Sequence, residues 1–335
     1  MLIKEVRSII KNYSEEELRI LIAEMYKVIP KKVKQEKNID KMIEDINNFM
    51  RSRKRVTRQK ESIDLESLKY EIEEFIDYSY KQYYFAPNSY VHKSERSKWR
   101  FKVSKFIKEL EKVNGNAEDN ATATELLEKL YEVLCYGYYY VIFSSNEPFR
   151  SIRMSQSEVF DMVIRRKFAD GINKESITYA LKLMAANKPD SNLIPEILKY
   201  LKTPDSKQLA IEQCNFLKQI IKDGGLLTGS KLEQTHSGEY ITSSRINVLV
   251  EMAFYCYLEL SEHKTACEYF KNNYEESDSE VRLYVLLLLL FTNGLKDCWV
   301  YEYEKAVEEG IKPRKRLTDM YSYILENNKL PDFMF

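Results

Sequence analysis

The sequence predicts an all-α protein of stacked antiparallel helical hairpins, an α-solenoid, with an N-terminal helical domain. Along most of the chain, apolar residues recur at the three- and four-residue spacing of amphipathic helices. Only 9 glycines and 8 prolines occur among 335 residues, so few residues interrupt these helices. Short polar breaks separate the periodic segments, and short loops between amphipathic helices place neighbouring helices antiparallel.

The composition favours a cytoplasmic protein. Lysine plus arginine and aspartate plus glutamate each number 52, so the net charge is zero and gives no general case for nucleic-acid or membrane binding. The N-terminus lacks the long apolar region of a signal peptide. The number of cysteines is odd and their spacing is unpaired, which indicates reduced core thiols in a cytosolic protein. These cysteines are Cys135, Cys214, Cys256, Cys267 and Cys298.

The N-terminal part divides into a helical domain and a linker. Residues 1–50 read as a helical hairpin and a short helix, with a capping box at Ser14–Glu17 and a helix end at Pro30. Residues 51–63 are basic and poor in apolar side chains, so we interpret them as a linker.

Residues 64–146 are predicted to form a helical bundle. A long helix is expected at 64–86, and Thr122–Glu125 has the pattern of a cap for a later helix. The run Tyr136–Phe143 is rich in the aromatic and β-branched residues that favour strands. No partner strand is visible in the sequence, so we assign the run to a helix.

Residues 147–335 are predicted to form the α-solenoid. Ser155–Glu158 is a second capping box, and further amphipathic helices follow it. Residues 223–244 are rich in Gly, Ser and Thr and read as a long loop. A loop of this length is uncommon in a compact domain, so it is either mobile or functional.

The segment 247–310 carries the clearest pattern. Its first helix is followed by a polar break at Ser261 and by a second helix, and it resembles a tetratricopeptide repeat. Tyr257 and Phe270 match aromatic positions of that family, and Ala266 matches the small residue where its two helices cross. Phe254 stands where the family usually has glycine.

A second, degenerate copy follows at one repeat period. Gly294 matches the turn between the two helices, and Tyr303 follows Phe270 at about the repeat spacing. Trp299 stands at the small crossing position, as in the atypical repeats that end a stack. The resemblance implies two stacked helical hairpins.

The leading functional hypothesis is a non-catalytic scaffold or adaptor. In stacked hairpins the first helices line a groove that takes a peptide or a partner helix. The candidate contact residues lie on one face of the first helix, and they are Asn247, Glu251 and Tyr255. We expect a protein or peptide partner, no cofactor and no metal, and the sequence does not indicate an oligomeric state.

The alternative hypothesis is nucleic-acid binding through the basic N-terminal half. Lysine and arginine clusters can neutralise phosphates, although solvated linkers favour the same residues. The candidate residues are Arg51, Arg53, Lys54, Arg55, Arg58, Lys98, Lys102 and Lys105.

Catalytic and membrane motifs fit poorly, so we expect no enzyme. Gly224–Lys231 resembles a phosphate-binding loop, but its last two residues are reversed and it follows a helix. The histidines lack metal-ligand spacing. The apolar run at 283–291 is far shorter than the ~20 residues that span a bilayer. The sequence alone does not show whether the fold brings carboxylates from separate helices together.

Overall fold

The structure is a computed structural model that describes residues 3–46, 49, 64–113, 116–187 and 192–333. The described residues form helices joined by turns, without a β-strand, so the predicted all-α class is confirmed. Packing divides the chain into two compact units, Met1–Ile63 and Asp64–Phe335. All residues of the predicted basic linker, 51–63, lie outside the described residues.

The described part of the first unit contains four short helices. The predicted capping box is present: the Ser14 side chain accepts from the Glu17 backbone N–H, and the Glu17 carboxylate accepts from the Ser14 backbone N–H at 2.7 Å. Pro30 ends the second helix as expected and opens the third. None of the described side chains of this unit is fully buried. The helices are α1 (Ile3–Ile10), α2 (Glu15–Val28), α3 (Lys31–Glu36) and α4 (Ile39–Glu44).

The second unit contains the buried core and fifteen described helices. They are α5 (Leu65–Tyr80), α6 (Lys93–Arg96), α7 (Trp99–Leu110), α8 (Ala117–Tyr139), α9 (Pro148–Ser151), α10 (Gln156–Ala169), α11 (Lys174–Ala186), α12 (Ile194–Leu198), α13 (Pro204–Lys222), α14 (Lys231–Thr235), α15 (Glu239–Glu259), α16 (His263–Asn273), α17 (Ser279–Thr292), α18 (Lys296–Glu308) and α19 (Lys315–Asn327).

Helix α8 is the centre of the N-terminal half of this unit. It packs against α5, α7, α9, α10 and the distant short helix α14. The helices that follow then pack in chain order, from α10 and α11 through α13 and α15 to α16, α17 and α18. Within the described part of the chain, no helix combines the length and apolar character that crossing a bilayer requires.

The assignment of Tyr136–Phe143 to a helix is wrong in its second half. Helix α8 ends at Tyr139, and Tyr140 has extended backbone angles. A Cβ atom at Gly137 would lie 3.0 Å from the Phe143 ring, so the glycine permits the chain to fold back on the helix. Phe143 then stacks on Trp99 with ring centroids 4.0 Å apart. Tertiary packing of one aromatic ring therefore sets this helix end.

Three other predicted boundaries also move. The helix expected at 64–86 ends at Tyr80. Helix α8 begins at Ala117, because the side chain of Asn116 accepts from the Asp119 backbone N–H at 2.8 Å, so Thr122–Glu125 is inside the helix and caps nothing. The loop predicted at 223–244 contains α14 and the beginning of α15, so its irregular backbone is limited to the stretch before α14 and a short connection between the two helices.

Candidate functional site

The two C-terminal hairpins, α15–α16 and α17–α18, have the same turn. In the first turn Ser261 has a positive φ of 63° and its N–H donates to Leu258 at 2.9 Å. In the second, Gly294 has a φ of 69° and its N–H donates to Phe291 at 3.0 Å. In both turns the following N–H also donates to the carbonyl five residues before it, which is the Schellman pattern of a helix C-terminus. Ser261 and Gly294 therefore define corresponding positions 33 residues apart.

This correspondence identifies one partly exposed face on the first helices of both hairpins. At three pairs of corresponding positions both side chains are half-buried, whereas neighbouring positions such as Ala253 and Leu286 are fully buried. We call this set the first-helix face. It consists of Glu251, Tyr255 and Leu258 on α15, and of Tyr284, Leu288 and Phe291 on α17.

The first-helix face is mainly apolar and aromatic on α17. This helix is apolar on nearly every side, a pattern typical of a helix that is buried all round. Its Tyr284, Leu288 and Phe291 nevertheless stay half-buried. The Arg314 guanidinium lies 4.3 Å from the centre of the Tyr284 ring, and the Glu280 carboxylate pairs with it and balances its charge.

The structure places two of the three predicted contact residues on the first-helix face and buries the third. Glu251 and Tyr255 belong to the first-helix face. Asn247 is only 9% exposed, and its amide is engaged inside the chain: its Nδ2 donates to the Glu275 carbonyl at 3.0 Å, and its Oδ1 accepts from the Glu275 N–H at 2.7 Å. At the corresponding position of α17, Glu280 accepts from the Arg314 backbone N–H at 3.0 Å. At both positions the side chain therefore forms a hydrogen bond with the backbone of the segment that follows its own hairpin.

An ion pair connects the second helices of the two hairpins. The Lys271 Nζ on α16 donates to Glu302 Oε2 on α18 at 2.7 Å, and the Glu302 side chain is 5% exposed. Burial is the largest single influence and lowers the pKa of the Lys271 ammonium, but the hydrogen bond to Glu302 and the charge of Glu302, with smaller contributions from neighbours, together leave the pKa raised. A cleft of about 130 Å³ lies beside this pair and includes Arg282 and Lys305 among its lining residues.

The lysines of the nucleic-acid hypothesis that the structure describes have acidic neighbours. Lys98 Nζ lies 2.7 Å from Glu95, and Lys105 lies 4.0 Å from Glu71. Lys102 extends over the Tyr84 ring at 6.0 Å. These acids partly neutralise the surface that α7 presents. The five arginine and lysine residues of 51–58 lie outside the described residues, so nucleic-acid binding there stays a prediction.

A group of three acidic side chains gave no signal in the sequence, because its members come from two helices that are far apart in the chain, α8 and α14. Burial, with Glu128 and Glu233 adding negative charge, raises the pKa of Glu132 to about 7. Burial also raises the pKa of Glu128, which accepts from the Tyr179 hydroxyl at 2.7 Å. Carboxyls of this kind occur in catalytic sites and in structural networks alike.

The third acid of this group has a structural role. The Glu233 carboxylate accepts from the backbone N–H groups of Leu227, Thr228 and Gly229 at 2.7, 2.8 and 2.9 Å. It therefore fixes the turn that precedes α14 against α8. In the described residues no group of three or more side chains is arranged to hold a metal ion.

We compared the chain with protein-family models, with curated proteins and with solved structures. None of the three comparisons found a match. Among the surfaces described above, the first-helix face has the clearest geometric basis for binding a partner.

Sequence reasoning missed four of the six residues of this face, Leu258 on α15 and all three residues on α17. Tyr284, Leu288 and Phe291 lie in an apolar run that is interpreted from sequence as a buried helix. The missing signal was the correspondence between Ser261 and Gly294. Extending the positions of Glu251 and Tyr255 by the same 33 residues identifies Tyr284 and Leu288 directly.

Proposed function

We propose that this protein is a non-catalytic scaffold that binds a peptide or a partner helix through the first-helix face. The observation that carries the proposal is the pairing of half-buried side chains at corresponding positions of α15 and α17. The repeat-like pattern of the sequence supports the same interpretation, because first helices line the groove in stacked hairpins. The five free thiols support a reducing, cytoplasmic location.

The chemistry of the face indicates the type of partner. Apolar surface that a partner removes from water contributes about 25 cal/mol per Å² to binding. Tyrosines such as Tyr255 and Tyr284 often dominate binding energy, since they combine a large apolar ring with a hydroxyl. An amphipathic segment with apolar side chains at helical spacing matches the spacing of Leu288 and Phe291 along α17.

The test begins with peptides that bind the full-length chain, selected from a random display library. We expect the selected peptides to carry apolar side chains at regular spacing. Leu288→Glu places a charge in the middle of the first-helix face and should weaken their binding by about tenfold or more, since burying an unpaired charge is costly. Fluorescence anisotropy measures the affinity.

Val307→Glu is the matched control. Val307 is an exposed apolar residue on α18, the second helix of the same hairpin. The same charge introduced there should leave peptide affinity unchanged. If no peptides are enriched, or if both variants bind the peptides equally well, the first-helix face is not the binding surface.

A further inference from the structure

The first unit contains an open groove of about 700 Å³ between α2 and α4. Its floor is apolar, with Ile22 and Ile43 exposed at 54% and 50%. The Tyr26 hydroxyl donates to Asp40 Oδ1 at 2.6 Å and joins the two helices across the floor. Since no described side chain in this unit is fully buried, these apolar groups lack the cover that a folded interior gives.

The two walls of the groove carry opposite charges. Arg19 and Lys27 stand on the α2 side, and Asp40 and Glu44 stand on the α4 side. Arg19 and Lys27 also pair with acids of their own helix, Glu15 and Glu24, at 2.6 Å in each case. Those pairs are solvent-exposed, and exposed pairs of this type contribute little, so both cations can exchange partners at small cost.

We propose that this groove is the contact surface for a second copy of the chain, in a two-fold symmetric dimer. A two-fold axis that runs between α2 and α4, along the groove, lays α2 of each copy over α4 of the other. Arg19 and Lys27 of one copy then face Asp40 and Glu44 of its partner. Ile22 and Ile43 of both copies lie in the centre of the contact.

Charge complementarity is the reason for choosing a second copy as the occupant. In an isologous interface the same patch meets itself, so its two halves must complement each other. The α2–α4 groove meets this condition because its cationic and anionic walls exchange places under the rotation. The proposed contact consists of residues of the first unit alone and does not depend on the proposed scaffold function.

Two double variants of the full-length chain test the pairing. Arg19→Glu with Lys27→Glu makes both walls acidic. Asp40→Asn with Glu44→Lys removes the acidic wall, while an asparagine oxygen can still accept from the Tyr26 hydroxyl. Each variant alone then opposes like charges across the contact, which is destabilising.

Sedimentation velocity across the micromolar range gives the readout. The wild-type chain should form dimers, and each double variant should dissociate about tenfold more readily or more. An equimolar mixture of the two variants should recover dimers, because the acidic wall of one then faces the basic wall of the other. Circular dichroism should show the same helix content in all samples.

Two single variants show whether loss of an apolar side chain weakens the dimer only in the groove or anywhere on the surface of the first unit. Ile43→Ser lies on the groove floor and should weaken the dimer. Val28→Ser removes an apolar side chain that is 79% exposed on the opposite side of α2, and it should leave the dimer unchanged. A monomeric wild-type chain overturns the proposal. So does a dimer that neither double variant weakens, or a mixture of the two variants that stays monomeric.

Discussion

The hairpins α15–α16 and α17–α18 share a turn but differ greatly in the size of one buried side chain. Ala266 is fully buried in the first hairpin, and Trp299 is fully buried at the corresponding position in the second. We expect this position to lie where the two helices of each hairpin cross, as the tetratricopeptide resemblance implies. The contact between α15 and α16 is more extensive than that between α17 and α18. In the second hairpin Trp299 belongs to an aromatic stack that continues to α19, with Trp299 on Tyr303 at 5.4 Å and Tyr303 on Tyr321 at 4.5 Å.

The difference shows that turn and crossing are specified separately. The turn depends on a residue with positive φ and on two backbone hydrogen bonds, and these are the same in both hairpins. The crossing depends on side-chain volume, which differs greatly between alanine and tryptophan. Two hairpins with different internal packing can therefore present corresponding residues on the first-helix face.

The largest expected effect is in the second hairpin. Trp299→Ala removes a fully buried indole and leaves a cavity, which should lower the free energy of unfolding by about 3–5 kcal/mol. Urea denaturation followed by circular dichroism measures the loss. Tyr301→Ala, on an exposed position of the same helix, should cost about 0.5 kcal/mol or less. Similar losses for the two variants would show that Trp299 does not fill the crossing.

In the first hairpin we replace a small buried side chain with a larger one. Ala266→Leu forces extra volume into a fully buried position and should cost about 1–3 kcal/mol in the free energy of unfolding. Thr265→Leu introduces the same side chain at the exposed neighbouring position and should have little effect. A thermal melt of Ala266→Leu that coincides with the wild type would mean that α15 and α16 do not cross closely at this residue.

The ion pair between Lys271 and Glu302 links the two hairpins. Lys271→Met leaves the buried Glu302 carboxylate without its charged donor, and we expect a loss of about 1–3 kcal/mol. Because the pKa of Lys271 is raised on folding, this stabilisation is fully present below about pH 10.4 and is lost as the pH rises further. Urea titrations at neutral and strongly alkaline pH check both points, and a variant with a constant deficit through this alkaline range would contradict the second.

The smallest effects concern the shared turn. Gly294→Ser gives the second turn the residue of the first and should cost about 1 kcal/mol, since residues with a Cβ atom are disfavoured at positive φ. Ser261→Gly should stabilise the first turn by about 0.5 kcal/mol, because the relief of this strain exceeds the added freedom of the unfolded chain. Opposite shifts in melting temperature are expected. Shifts of the same sign would show that the two turns are not equivalent.

Local features of the fold were predictable from sequence where one short motif decides them. The capping boxes at Ser14 and Ser155 both form, because each serine finds a glutamate three residues later. The sequence does not predict the start of α8 after Asn116, because Asn and Thr both cap helices and the residues from Thr122 onward also match a capping pattern. The end of α8 at Tyr139 depends on Phe143 packing back against Gly137, which no local pattern shows.

The candidate site was predictable only in part, for a similar reason. The helical period placed Glu251 and Tyr255 on an outer face of α15, and the structure leaves both half-buried there. The same period placed Asn247 beside them, but a backbone segment 28 residues later covers it. The helical repeat alone predicts on which side of its own helix a residue lies. It does not show which other segments of the chain pack over that face.

The most direct test of the first-helix face is photo-crosslinking of a library-selected peptide to the full-length chain. Benzoylphenylalanine is introduced in place of Tyr255, of Tyr284, or of Tyr301, which is an exposed tyrosine on the second helix α18. All three sites start from an aromatic side chain, so the substitution is comparable. We expect the peptide to crosslink at positions 255 and 284 and not at 301. Crosslinking at 301 alone, with a peptide that binds normally, would contradict the assignment of the partner surface to the first helices.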